Sequence, residues 1–163
     1  MSVVLDIVNG MPSYTYRNGQ MIEIPDTVVS KDTEIRESIS NTHIIRPGIY
    51  VTTFAAISGT VRVMSGATLV AKASVSGTVD VENGARAVFH GRASGTIKVD
   101  RGAEVHLMRG SVALGFIQVD GTLINEGIRG VNVSGPGRVD DREGPTVRRP
   151  DRTLPDGTTV YEG

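Results

Sequence analysis

The chain has 163 residues, enough for one domain with a modest core. Its formal net charge of −1 provides no global field for nucleic acid or anionic lipid. The absence of cysteine excludes disulfides, thiolate catalysis and zinc–thiolate sites. Aromatics make up 4% of the residues and Trp is absent, so a core must be built from Val, Ile, Leu and Ala.

The first ten residues read "MSVVLDIVNG". Asp6 interrupts the apolar run too early for a secretory signal. No stretch reaches the roughly 18 apolar residues of a membrane span, so a soluble, cytoplasmic protein with no membrane span is expected. In "SYTYRNGQMIEI", alternating Tyr, Ile and Met surround Asn18-Gly19, which predicts a β-hairpin. Residues 1–42 are read as an N-terminal cap.

From His43 the chain repeats with a period of eighteen residues. One column holds Ile45, Val63, Val81 and Val99; a second holds Gly48, Gly66, Gly84 and Gly102; a third holds Val51, Leu69, Ala87 and Val105. Ser58-Gly59-Thr60 recurs as Ser76-Gly77-Thr78 and Ser94-Gly95-Thr96. A fixed interval of this kind marks a repeat architecture. Within each unit apolar residues alternate with polar ones, as Val79 and Val81 do around Asp80, and period two means strand. The glycine columns supply corners. Three short strands per period describe one triangular coil. The fold class expected is therefore all-β: a three-sided, single-stranded β-solenoid spanning residues 43–139, right-handed in preference to left-handed. After Arg109 the spacing breaks, which predicts an insertion or a bulged loop over Met108–Phe116 and irregular final coils. Residues 140–163 are rich in Pro and in charge of both signs, and are read as an extended tail.

Chemistry-bearing side chains are sparse. His43, His90 and His106 fall in different columns of the repeat and are read as exposed or corner residues, so no metal site is expected. Arg62, Asp80 and Lys98 align, as do Arg86 and Glu104, and both sets read as charge ladders that fix register. Glu82 and Asp100 share a column, where carboxylates raise each other's pKa; read as catalytic they would make an acid pair, and read structurally they are tolerated repulsion. No phosphate-binding loop, dinucleotide fingerprint or nucleophile elbow is present in the sequence. No catalytic residue and no cofactor is assigned. If Ala85, Ala87 and Phe89 point inward, Val88 and Val70 point outward in adjacent coils, and Met64 lies on another outward column. These three are the candidate interface.

The repeat units, of the form "VSGTVDVENGA" between Ile45 and about Val139, resemble the bactofilins, polymer-forming bacterial cytoskeletal proteins built on a short β-solenoid. The resemblance implies a triangular solenoid, polar tails and self-assembly. The patterned N-terminal segment and the irregular stretch 108–139 depart from that family. The eighteen-residue coil also resembles the left-handed hexapeptide-repeat transferases, through Val61, Ala67, Ala73, Val79 and Ala85. Those carry a small residue at the next position, where this chain has Arg62, Asp80 and Arg86. The expected function is non-enzymatic: a rigid rod that self-associates or binds a protein partner. The alternatives are a discrete binder, such as an immunity or phage-encoded inhibitory protein, and a carbohydrate-active or acyl-transfer solenoid working through His90, His106 or the Glu82/Asp100 column.

Overall fold

The computed structural model describes residues 13–142 and 147–161. The opening run 1–10, read above for targeting, and parts of the tail lie outside the described residues. All regular structure described is β. Strand β1 (Ser13–Arg17) pairs antiparallel with β2 (Gln20–Ile24). Asn18 and Gly19 turn between them with φ of 54° and 76°, the paired left-handed conformation that an Asn-Gly hairpin demands.

Everything that follows is a stack of parallel strands. Seven strands form one face, from β3 (Thr27–Val29) through Thr60–Val63 and Thr96–Val99 to Val133–Ser134. Seven more form a second face, from β4 (Thr33–Ile35) through Arg86–Phe89 to Arg138–Asp141. The third face is narrow. It consists of short pairings such as Arg92–Ala93 with Val112–Ala113, extended by single bridges from Ile39 to Ile57 to Val75. Each residue sits over the equivalent residue of the next coil, as in Val61, Val79 and Ile97. The expected solenoid is thus the observed fold.

The core follows from this register. In the central coils the inward positions of all three faces make apolar columns. Val63, Val81 and Val99 are at most 1% exposed. Ala67, Ala85 and Ala103 fill the tight corner beside the glycine column and are buried. Gly48, Gly66, Gly84 and Gly102 turn that corner with φ between 77° and 81°.

The stack is longer than the sequence period suggests. Strand β3 pairs Thr27 with His43, an offset of sixteen, while β4 pairs Thr33 with Val51, an offset of eighteen. The corner between β3 and β4 is therefore two residues short and lacks the glycine. For that reason residues 27–39 escape the eighteen-residue alignment, although they form a complete coil. At the far end Ile97 pairs with Ile117, an offset of twenty, and Leu123 with Val139, an offset of sixteen. These are the irregular coils expected after Arg109. Within the Pro-rich tail, Val147 bridges to Arg129, and Arg152–Thr153 pairs antiparallel with Thr159–Val160. Tyr161 ties this segment back, its hydroxyl accepting from the Val131 N–H at 3.1 Å.

Candidate interaction surface

A stacked coil displays its outward residues as rows about 4.8 Å apart, so any surface site is a set of rows or an end. The first face carries two outward rows. In one, Arg62, Asp80 and Lys98 are in register, as expected. The ion pair, however, runs diagonally, from Arg62 to Glu82 at 3.3 Å. Asp80 keeps one carboxylate oxygen buried without a hydrogen-bond partner. Arg86 and Glu104 pair on the second face at 3.4 Å.

The Glu82 column continues through Asp100 to Asp120, with each backbone N–H donating to the coil before it. Burial, reinforced by the nearby Asp80 and Asp120, raises the Asp100 pKa. Glu82 is matched to Arg62. Among the described residues no group of three or more His, Asp or Glu converges on a metal-sized point.

The histidines divide. His106 faces outward and hydrogen-bonds Glu126 at 2.8 Å. His90 follows the strand Arg86–Phe89, and burial together with Lys72 and His106 lowers its pKa. His43 corrects the expectation of an exposed or corner residue. It stacks on Val61 in an inward column, and its Nδ1 is buried without a partner. Burial holds its pKa below the ordinary value, so the neutral ring is favoured.

Of the expected interface residues, Val70 and Val88 are in register on the second face, between Thr52 and His106. They lie outside the central core cluster, yet only 7% and 8% of each is exposed. An in-register valine is shielded by its neighbours above and below, so this row offers little apolar area. Met64, half-buried, follows the strand Thr60–Val63 on a different column, which it shares with Glu82 and Asp100.

A more exposed apolar group lies elsewhere. The outer row of the first face runs Thr42, Thr60, Thr78, Thr96 and then Phe116. Phe116 is 67% exposed. The next coil approaches it through Asn132, whose carbonyl accepts from the Ile117 N–H, and the adjoining Val131 is 41% exposed. The sequence held a signal for this residue: "LGF" at 114–116 occupies the place of Ser-Gly-Thr. Two other exposed aromatics lie nearer the N-terminal end, Tyr50 and Phe54, and the Arg36 guanidinium stacks 4.4 Å from the Phe54 ring.

The two ends differ as well. Toward the C-terminal end the inward column Phe89, Leu107 passes to Asn125 and Asp141. Arg129 replaces the alanine of the third-face column and grips Asp141 with two hydrogen bonds of 2.8 and 2.7 Å. Asn125 Nδ2 donates to the same carboxylate at 3.0 Å. The core is thereby closed by a satisfied polar plug, and Arg129 holds the Asp141 pKa below the ordinary carboxylate value. Toward the N-terminal end Val29, Ile35 and His43 line a concavity of about 370 Å³.

No family model, curated protein or solved structure matches the chain. The likeness to bactofilins is therefore one of eighteen-residue coils stacked as a solenoid. No described helix is long and apolar enough to cross a membrane.

Proposed function

We propose that this chain is a non-enzymatic interaction protein, a rigid β-solenoid that holds a protein partner or a second copy of itself against its side. The observation that carries this reading is Phe116. A phenylalanine two-thirds exposed, on a strand fixed by pairing on both sides, presents apolar area at little cost in conformational entropy. Aromatic residues of this kind are enriched in protein interfaces. The other rungs of its row carry Thr at the same position, so the ring is not required for stacking. The neighbouring Val131 extends the patch, and the rows around it are polar and charged, as the rim of an interface is.

Sedimentation velocity of the full chain over a wide concentration range, beside Phe116→Thr, tests the self-associating form of the proposal. Wild type is expected to assemble, and Phe116→Thr, which restores the residue of the row, is expected to remain folded and fail to assemble. Assembly unchanged in Phe116→Thr would refute the patch. A wild type that stays monomeric at high micromolar concentration would leave a foreign protein as the partner.

A further inference from the structure

The corner that leads from the third face to the first is written alike in three successive coils, as Ser58-Gly59-Thr60, Ser76-Gly77-Thr78 and Ser94-Gly95-Thr96. Its serines are exposed. The Gly59 and Gly77 N–H groups donate to the Ile39 and Ile57 carbonyls of the coil before. A Cβ on Gly77, Gly95 or Gly115 would collide with the carbonyl oxygen of the glycine one coil earlier. The corner therefore lies too close to its neighbour to admit a side chain at this column.

The last such corner departs from the pattern. Ala113 is in register with Arg129 and Ile117 with Val133, so Leu114-Gly115-Phe116 is followed in the stack by Gly130-Val131-Asn132. A valine thus stands in the glycine column. On the regular path its Cβ would strike the Gly115 carbonyl. The corner instead brings Val131 to the surface, 41% exposed, and closes a three-residue turn in which the Val133 N–H donates to the Val131 carbonyl at 2.8 Å. The equivalent Gly77 N–H donates to the coil before it, whereas the Val131 N–H donates to the Tyr161 hydroxyl at 3.1 Å.

Tyr161 reaches this point on the C-terminal arm. Val147 adds a rung to the third face beside Arg129, and the Arg148 N–H donates to the Arg129 carbonyl at 2.7 Å. The chain then reverses through the paired strands Arg152–Thr153 and Thr159–Val160. The seat of the tyrosine is prepared in the sequence. The serine column of the central coils becomes Leu114 and then Gly130, and a Cβ on Gly130 would stand 2.7 Å from the Tyr161 hydroxyl oxygen. The Arg148 guanidinium lies 5.5 Å from the centre of the Tyr161 ring. A second tie holds Asn132, the rung after Phe116, whose Nδ2 donates to Thr159 Oγ1 at 2.8 Å.

We infer that the C-terminal arm is part of the interaction surface, with Tyr161 and Thr159 as positioning residues that hold Val131 and Asn132 beside Phe116. This rests on the reading of Phe116 as the contact. The tyrosine hydroxyl takes the place of the coil-to-coil hydrogen bond that valine forfeits. A corner freed from its coil would have to be ordered at the moment of binding, whereas one already tied to the arm meets the partner in its bound shape.

Amide hydrogen exchange by NMR and sedimentation velocity, both on the full chain, test this with Tyr161→Phe, which keeps the ring over Gly130 and removes the hydroxyl. In wild type the Val131 amide is expected to exchange about tenfold or more slower than an unpaired amide. Tyr161→Phe should lose that protection, while the Ser76 amide, bonded to the Ile57 carbonyl in the central coils, keeps its own. In Val131→Gly/Tyr161→Phe the corner can settle back onto its coil, and the amide at position 131 should regain protection, which a general weakening of this end of the stack would not allow. Ordering one residue at the moment of binding predicts self-association about 5–30-fold weaker in Tyr161→Phe, with an unchanged melting temperature. A Val131 amide that is unprotected in wild type, or equally protected in Tyr161→Phe, would overturn the inference whatever the state of assembly. So would a double variant whose amide at position 131 stays open. Assembly lost in Phe116→Thr but untouched in Tyr161→Phe would overturn the role of the arm and leave the Phe116 surface standing. Failure of the Phe116 surface itself is read separately, from assembly in Phe116→Thr, where the Val131 amide stays protected.

Discussion

Two columns of glycine serve this solenoid for different physical reasons, and single alanine substitutions separate them. Gly48 turns the corner between faces with φ of 77° and has open space where a Cβ would stand. Gly48→Ala therefore meets only the backbone penalty of the left-handed region, about 1–2 kcal/mol, partly offset by the stiffer unfolded chain. Gly77, in the Ser-Gly-Thr column, has no such φ. A Cβ there would instead collide with the Gly59 carbonyl oxygen and stand 2.7 Å from the Ser58 carbonyl carbon, both backbone atoms of the neighbouring coil. No side chain can move aside, so Gly77→Ala must force two coils apart and break in-register pairing on the adjacent strand. Overpacking against atoms that cannot yield should cost about 3 kcal/mol or more. With roughly 2–4 °C of Tm per kcal/mol in a domain of this size, Gly48→Ala should melt a few degrees below wild type. Gly77→Ala should melt about 6–12 °C below it, or fail to fold. Thermal melts followed by circular dichroism in the strand region decide the matter. If Gly77→Ala melts at or above Gly48→Ala, the coil-to-coil approach at the Ser-Gly-Thr corner is wrong.

The central column makes a second test: Val81→Asp buries a carboxylate between Val63 and Val99 and should cost several kcal/mol, a large part of a domain's roughly 5–15 kcal/mol, so a melt within a few degrees of wild type would refute the column. At the C-terminal plug, Asp141→Asn removes the charge that Arg129 holds and should destabilise by roughly 2 kcal/mol, below the range for a fully buried pair. Because Asp141 has a lowered folded pKa, its contribution is fully present above the unfolded carboxylate value and is lost as pH falls through the folded one. Wild-type stability should therefore drop toward acid more steeply than that of Asp141→Asn, and parallel pH profiles in urea titrations would contradict the pairing. For Phe116→Thr, two-thirds of a ring of roughly 200 Å², at about 25 cal/mol/Å², amounts to about 3.3 kcal/mol and predicts an association roughly 200–300-fold weaker, and a change under threefold would remove Phe116 from the interface.

The sequence made the architecture legible because an in-register stack writes itself as columns. Ile45, Val63, Val81 and Val99 sit one over another in space as in the alignment. What escaped were departures from the period. The coil at residues 27–39 was hidden by a corner two residues shorter than its successor, which shifts one face out of phase with the other. The meeting of Asn125, Arg129 and Asp141 depends on offsets of sixteen in the last coil and on pairing between faces, neither of which an eighteen-residue frame contains. Alternation located Val70 and Val88 on an outward row, but burial there depends on the neighbours above and below, not on the direction of a side chain. Phe116 was legible as a break in the threonine row, once the two extra residues before it are allowed for.

The claim on which all of this rests is that the coils stack in register at constant rise. The chain has no cysteine, so a pair of spin labels can be placed without background. Tyr50 and Thr122 are separated by 72 positions in sequence but by four rungs in space, through Thr68, Arg86 and Glu104. Four rungs of about 4.8 Å put their Cα atoms roughly 19 Å apart. Double electron–electron resonance on the full-length variant Tyr50→Cys/Thr122→Cys should give one narrow distribution near that distance, broadened only by the label linkers. A broad distribution, or one centred beyond roughly 35 Å, is incompatible with a stack of this rise and would contradict the solenoid itself.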